Sequence, residues 1–336
     1  MRARPVPPAD TGAVPAAVRG VAPGPVHGVV PRVVPGVVPR VVPGVVVAAV
    51  AAALLAGCSS GPGPSGSGSA GKHSFTVVTD IYPTTFAVEQ VAGDEVEVIQ
   101  LAPAGVEPHD YELSPAQVAQ VADADLVAYL PGMIPAVAAA VARVGAERSV
   151  DVSTGVTRLT PTGSESSPEA SGATDPHVWL DPRNMAAMGR TAADALDAAG
   201  IPADAADLTS RMTALDDAAR TDLARCAIKP MVVNHAAFGY LANAYGFEQV
   251  AISGLSPDAE PSPRRMAQIA DLVRQQGVTT IYFESLASPA AAKAIAAETG
   301  AQTALLDPIE GNTGDAGYEQ LMRSNVAALR TGQECS

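Results

Sequence analysis

The stretch Phe75–Pro103, FTVVTDIYPTTFAVEQVAGDEVEVIQLAP, decides the fold class. It opens with a β-branched run, Phe75–Thr79, continues with helix-favouring residues and ends in a second β-branched run, Val96–Leu101. The next stretch, SPAQVAQVADADLVAYL, begins as a serine-capped helix and finishes as a strand near Leu130. This alternation of strand and helix is typical of an α/β fold with a parallel sheet.

The same alternation resumes at Met231 and continues to a final helix at Tyr318–Arg330. The intervening stretch, Arg183–Arg225, lacks β character and predicts helix, interrupted at Gly200–Pro202 and followed by one helix of about 22 residues from Ala203. We therefore expect two βα lobes with parallel sheets, joined by one long rigid helix. A single, continuous doubly wound domain is the alternative that the pattern leaves open.

The first 57 residues predict a leader rather than folded structure. Proline recurs about every four residues between Arg19 and Gly44, which excludes a helix there, and an uncharged apolar run, Val45–Gly57, follows. This run suits a signal-peptide core better than a membrane span. It ends in LLAGC, which matches the bacterial lipobox, and predicts that Cys58 receives lipid and becomes the mature N-terminus.

The proline-rich leader departs from ordinary signal peptides, so we expect translation to start downstream of Met1. A glycine- and serine-rich tether follows Cys58. A plain apolar stretch with a chance cysteine is the alternative reading. The predicted organisation is a signal peptide with a low-complexity leader (1–57), a lipidated tether (58–72), an N-terminal αβ lobe (73–182), connecting helices (183–225) and a C-terminal αβ lobe (226–336).

Composition excludes one class of partner. The 336 residues carry 21 Lys and Arg against 35 Asp and Glu, for a net charge of −14, and only 4% are aromatic. A nucleic-acid-binding protein would show a basic face or an aromatic stacking platform. We therefore expect no nucleic-acid partner, and we expect an exported monomer held to the bacterial cell membrane by its N-terminal lipid.

Two cysteines remain after Cys58, namely Cys226 and Cys335. In an oxidising compartment an even pair predicts a disulfide bond. Free thiols or metal ligands are the alternatives.

The histidines suggest a metal site. His109 and His235 each follow a predicted strand, and His177 stands between a polar loop and a helix. Ligands of open αβ sheets bind beyond the carboxyl ends of the strands, where Asp307 also lies. Three imidazoles and a carboxylate form a complete set for tetrahedral Zn²⁺, whereas Ca²⁺ and Mg²⁺ prefer more oxygen. Three nearby carboxylates could orient the imidazoles from outside: Asp110, Glu112 and Asp181.

The motifs around these residues resemble the metal-binding lipoproteins that serve ABC importers for zinc and manganese. The resemblance covers about Phe75–Arg330. It rests on EPHDYELSP, DPHVWLDP, NHAAFGYLANAYG, EPSPRRM and LDPIEG, in that order. It implies two αβ lobes bridged by a long helix, with a metal in the cleft between them. It also implies His109, His177, His235 and Asp307 as the metal ligands.

The resemblance implies capture of Zn²⁺ outside the cytoplasm and its delivery to an ABC permease. Manganese-type members tend to carry a carboxylate in place of His235, so His235 favours zinc over Mn²⁺. Many zinc members carry a histidine-rich loop before the second motif, whereas Thr160–Asp175 contains no histidine here.

An enzyme is not expected, because four protein ligands leave no position for an activated water and no HExxH motif occurs. A zinc hydrolase with Asp307 or Glu310 as base is the remote alternative. A surface adhesin or metal chaperone, or a manganese-specific binding protein of the same family, is the nearer one.

Overall fold

A computed structural model describes residues 74–161, 174–257, 259–311 and 316–336. The predicted leader, the lipidation site at Cys58 and the tether lie outside the described residues, as does most of the polar loop after Thr160. None of the helices in the described part combines the length and apolar character that crossing a membrane requires.

The strands of the described residues form two parallel sheets, each with four members. The first has the order β2-β1-β3-β4 and the second the order β6-β5-β7-β8, so the first strand of each sheet along the chain occupies an inner position. The strands are β1 Phe75–Thr79, β2 Val96–Gln100, β3 Leu126–Tyr129, β4 Ser149–Asp151, β5 Pro230–Val233, β6 Glu248–Ala251, β7 Thr280–Phe283 and β8 Gln302–Leu305.

Helices connect successive strands, as parallel pairing requires. They are α1 Tyr82–Ala92, α2 Pro115–Asp123, α3 Pro135–Val144, α4 Pro182–Ala198, α5 Ala206–Asp222, α6 Gly239–Tyr245, α7 Pro263–Gln276, α8 Ala290–Thr299 and α9 Tyr318–Gly332. The predicted serine cap of α2 is present: Ser114 and Gln117 form a capping box, and Ser262 caps α7 in a similar way.

The connection between the two sheets differs from the prediction of one long helix. Two helices of 17 residues each, α4 and α5, lie between β4 and β5, and α5 is shorter than the predicted 22 residues. Helix α4 packs against both α1 and α5, while α5 also reaches α9. The connector is therefore a helix pair packed on both halves, and α5 alone is ~26 Å long.

Two apolar clusters hold the described residues together. The larger extends from the first sheet through α4 and α5 to α9, and it includes the fully buried side chains of Trp179, Phe238 and Tyr318. The smaller lies between the second sheet and helices α7 and α8, with Ile281 and Ile295 among its members. The larger cluster crosses between the two halves, so their relative position is stabilised by apolar burial.

The end of α9 fits closely against the second sheet. Gln333, just after the helix, donates its amide to the carbonyls of Ile228 and Pro230 at 3.1 and 3.2 Å and accepts from the Tyr282 hydroxyl at 3.1 Å. A methyl group at Gly332 would overlap the Tyr282 hydroxyl and lie 3.0 Å from two carbon atoms of Thr280. Only glycine allows this approach.

We predict that Gly332→Ala lowers the free energy of unfolding by about 1–3 kcal/mol, because the added methyl overpacks a buried contact. Chemical denaturation of the purified variant measures this change. Gly317→Ala at the other end of α9 is the matched control, since a methyl there meets nothing within 4 Å. Equal behaviour of the two variants would contradict the packing argument.

Candidate metal centre

Four side chains converge on one point between the two halves of the described chain. They belong to His109, His177, His235 and Glu310, and one ligand atom from each lies within 4.8 Å of all the others. Glu310 Oε1 lies 3.0 Å from His177 Nε2, 3.5 Å from His235 Nε2 and 3.6 Å from His109 Nε2. The Nε2 atoms of His109 and His177 are 3.2 Å apart.

These separations suit a single small cation. Zn²⁺ holds nitrogen and oxygen ligands at about 2.0–2.2 Å, so the ligand atoms of a regular tetrahedron are about 3.4 Å apart. The four separations above, from 3.0 to 3.6 Å, bracket that value. One ion can therefore reach all four atoms with small side-chain adjustments.

The topology explains why these residues meet. His109 lies in the loop after β2, and His177 immediately precedes the short 3-10 turn Val178–Leu180. His235 follows β5 by two positions, and Glu310 lies in the loop after β8. Each half of the chain thus supplies two of the four side chains, three of them from loops beyond the carboxyl ends of strands, where α/β sheets bind ligands.

Comparison with known proteins identifies the family. The family model for ZnuA, described as the periplasmic component A of a zinc-uptake complex, matches residues 77–332. The high-affinity zinc uptake system protein ZnuA of Bacillus subtilis is 32% identical over 301 residues, covering 83% of this chain and 94% of that protein. The chain belongs to the ZnuA family. The resemblance predicted from the motifs is thereby confirmed.

The chain is also 36% identical over 282 residues to the zinc-binding lipoprotein AdcA of Streptococcus pneumoniae serotype 4. That alignment covers 77% of this chain but 56% of AdcA, so the chain spans about half the length of this relative. The ZnuA family is a component of a transport system, which agrees with the expectation of a binding protein rather than an enzyme.

Solved structures show the same fold. The Zn(II)-bound ZnuA-like domain of Streptococcus pneumoniae AdcA matches with a TM-score of 0.64 and 35% identity, covering 77% of this chain and 99% of that domain. The laminin-binding protein Lmb of Streptococcus agalactiae, titled a bifunctional protein with adhesin and metal transporting activity, matches with a TM-score of 0.68 and 30% identity over 77% of this chain and 99% of its own. Both likenesses agree with the expected two-lobe α/β fold.

The fourth member of the ZnuA-family cluster is Glu310, not the Asp307 that the sequence analysis assigned. Asp307 turns away from the imidazoles: one carboxylate oxygen accepts from the Ser285 hydroxyl at 2.9 Å and the other from the Ile309 backbone N–H at 2.7 Å. The strand-end rule correctly selected this loop. It could not distinguish two acidic residues three positions apart, because the turn between them decides which one faces the site.

Two other carboxylates orient the imidazoles. Asp175 Oδ1 lies 2.7 Å from His177 Nδ1, and Glu284 Oε2 lies 2.6 Å from His235 Nδ1. With Nδ1 as the donor in each pair, the lone pair of Nε2 points toward the centre, as metal-ligating histidines require. The sequence offered a usable signal for Glu284, which directly follows β7, the strand that pairs with β5 beside His235.

The carboxylates that the sequence analysis proposed for this orienting role have other positions. Asp181 caps α4 and pairs with Arg183 at 2.7 Å. Asp110 accepts from the Ser256 hydroxyl at 3.4 Å, and Glu112 is exposed. Proximity in sequence to a histidine was therefore a poor guide to which carboxylate contacts its ring.

Burial and charge make the cluster electrostatically demanding. Burial lowers the pKa of His235, but Glu284 and Glu310 more than offset this effect and raise the pKa to about 10. Burial likewise lowers the pKa of His177, while Asp175 and Glu310 raise it overall. Burial raises the pKa of Glu310, yet hydrogen bonds from the three imidazoles hold that pKa well below its ordinary range.

The same cluster suits a divalent cation once the imidazoles are neutral. Glu310, Asp175 and Glu284 then place three negative charges in a buried region, which is costly unless a cation compensates them. Moreover, His235 Nε2 is buried and has no hydrogen-bond partner among the described residues. An unpaired buried nitrogen facing other ligand atoms is what a metal ion would satisfy.

Access to the cluster is one-sided. His177, His235 and Glu310 are buried, whereas the His109 side chain keeps 8% of its surface exposed. His109 is also fixed less firmly, since its backbone N–H donates to the Glu107 carboxylate at 3.1 Å but its own loop lacks regular structure. The described surface therefore opens to solvent on the His109 side.

Proposed function

We propose that this protein captures Zn²⁺ outside the cytoplasm and delivers it to the permease of an ABC importer. The observation that carries the proposal is the group of three imidazole nitrogens and one carboxylate oxygen, with measured separations of 3.0–3.6 Å. We assign the zinc ligands to His109, His177, His235 and Glu310. Membership in a zinc-uptake family supports the same role.

The donor set favours zinc over manganese. Three nitrogen donors and one oxygen suit Zn²⁺, whereas Mn²⁺ prefers sites richer in oxygen. Four protein donors also complete a tetrahedral shell, so no position remains for the activated water of a zinc hydrolase. These features support a site that holds and releases its ion unchanged.

The first test is competitive calorimetric titration of the metal-stripped protein with Zn²⁺ and Mn²⁺. We expect one zinc per chain and weaker binding of manganese. Glu310→Gln should weaken zinc binding more than tenfold, because loss of even an orienting partner costs about 10–100-fold. Glu112→Gln, an exposed carboxylate near His109, is the matched control and should leave zinc affinity unchanged. Absence of a tight site in the wild type would overturn the proposal.

We further propose that Cys58 carries a lipid that anchors a monomeric protein to the outer face of the cell membrane. The lipoprotein name of the AdcA relative supports this proposal. A strain lacking the gene should grow poorly without zinc and recover with the wild-type chain but not with Glu310→Gln. Cys58→Ser should move the protein from the membrane fraction to the soluble fraction. Unimpaired growth of the deletion strain would argue against uptake.

Adhesion is a second candidate function. It is favoured by the likeness to Lmb, whose title names both adhesin and metal-transporting activity. Binding of the purified chain to immobilised laminin would support it. Normal zinc-limited growth of the deletion strain together with lost attachment would favour adhesion over transport.

A disulfide bond between Cys226 and Cys335 is also proposed. The sulfur atoms lie 2.00 Å apart, and the pair is separated by 109 positions in sequence. In the chain-entropy model such a loop stabilises by about 4–5 kcal/mol. We predict that Cys226→Ser combined with Cys335→Ser lowers the free energy of unfolding by up to about that amount. Denaturation of wild type with and without reductant provides the control, and no difference between them would contradict the bond.

A further inference from the structure

The turn that carries Glu310 contains an unusual backbone conformation. Ile309 has a φ of +59°, in the left-handed region, and is one of two non-glycine residues with positive φ in the described chain. A β-branched side chain is rarely found there. Such a residue persists when surrounding contacts over-determine it, and these positions are concentrated at ligand sites.

Two side chains fix the start of this turn. Asp307 accepts the Ile309 backbone N–H at 2.7 Å, which closes the turn locally. Asn325 on α9 brackets Asp307 from both sides: its amide oxygen accepts the Asp307 N–H at 2.8 Å and its amide group donates to the Asp307 carbonyl at 2.6 Å. The backbone at Asp307 is therefore held by α9, and the backbone at Ile309 is held by the Asp307 side chain.

A third contact comes from the other half of the chain. The indole N–H of Trp179 donates to the Pro308 carbonyl at 2.7 Å, and Trp179 is fully buried. Trp179 follows His177 by two positions, and their rings lie 5.3 Å apart. Pro308 precedes Glu310 by two positions. This one hydrogen bond therefore joins the segment that carries His177 to the segment that carries Glu310.

We propose that Trp179 is a positioning residue for Glu310. Its indole N–H and the Asp307 carboxylate together hold the left-handed turn that presents Glu310 Oε1 at 3.0 Å from His177 Nε2. The contact sets how tightly the site holds zinc, so this inference rests on the proposed function. A buried tryptophan usually finds some hydrogen-bond partner; what distinguishes Trp179 is that its partner lies inside the strained turn.

The main experiment measures zinc affinity in Trp179→Phe, which removes the donor and keeps an aromatic ring. We expect a loss of about tenfold or more, typical of a residue that orients a ligand. Tyr282→Phe is the matched control, because it also removes one buried aromatic donor, to Gln333, in a region away from the turn. The control should change zinc affinity less than twofold, a limit set at about the size of titration error.

A double-mutant cycle separates positioning from general packing. If Trp179 acts through the Glu310 carboxylate, Trp179→Phe should have little further effect in a chain that already carries Glu310→Gln. An equal loss in both backgrounds would show a merely structural role and overturn the proposal. A Trp179→Phe loss no larger than that of the Tyr282→Phe control would also overturn it.

Asp307 provides a second test that does not disturb the buried core. Asp307→Asn keeps an oxygen that can accept the Ile309 N–H, whereas Asp307→Ala removes it. We expect near-normal zinc affinity for the asparagine variant and a loss of about tenfold for the alanine variant. Equal large losses would make Asp307 a charged ligand, and equal normal affinity would show that the turn needs no such clamp; either result overturns the proposal.

A metal-independent measurement distinguishes failure of this inference from failure of the proposed function. Trp179 is the only tryptophan in the sequence, so the ¹⁵N-labelled protein shows a single indole N–H signal. We expect that signal to be strongly protected from exchange with D₂O in metal-free protein. Rapid exchange would show that the contact with Pro308 is absent and overturn the positioning role. Protection together with absent zinc binding in the wild type would instead refute the proposed function, and with it the part of this inference that concerns zinc.

Discussion

The structure depends on placing one buried carboxylate among three buried or nearly buried imidazoles. Glu310 is drawn toward the nitrogens of His109, His177 and His235, and two further carboxylates support the rings from outside. Removing such charges from water is expensive, and the cost is offset only when their partners are well placed. The rest of the fold can be understood as the scaffold that keeps these groups in register.

That scaffold achieves register through repetition. Both sheets share one strand order, and in each the crevice between the two inner strands opens toward the same kind of loop. In the second sheet, His235 follows one inner strand and Glu284 follows the other, so the sheet itself brings the imidazole and its carboxylate together. In the first sheet, Asp80 follows one inner strand and accepts the Leu130 N–H beyond the other at 2.8 Å. The first crevice is thus closed by a structural hydrogen bond, whereas the second supplies chemistry.

The sequence predicted the features that follow from periodicity and strand ends. The alternation of strands and helices, the serine caps at Ser114 and Ser262, and the convergence of three histidines all depend on local patterns with strong physical preferences. The connector was predicted less well, because residues 201–205 remain irregular after the break and α5 begins only at Ala206. The partner of each imidazole was missed, because Asp175 and Glu284 are selected by tertiary geometry.

The choice between Asp307 and Glu310 shows where pattern-based reasoning ends. Both are acidic, both follow β8, and an extended chain would present Asp307 first at the strand end. The left-handed conformation at Ile309 reverses this order: Asp307 folds back to close the turn, and the chain then directs Glu310 inward. Nothing in the composition of LDPIEG favours positive φ at an isoleucine, and the intrinsic preference opposes it. The conformation is held by Trp179, which lies 129 positions earlier, and by Asn325, which lies 18 positions later. The identity of the fourth ligand is therefore a property of the assembled halves, and the energy that assembles them also strains the turn into its functional form.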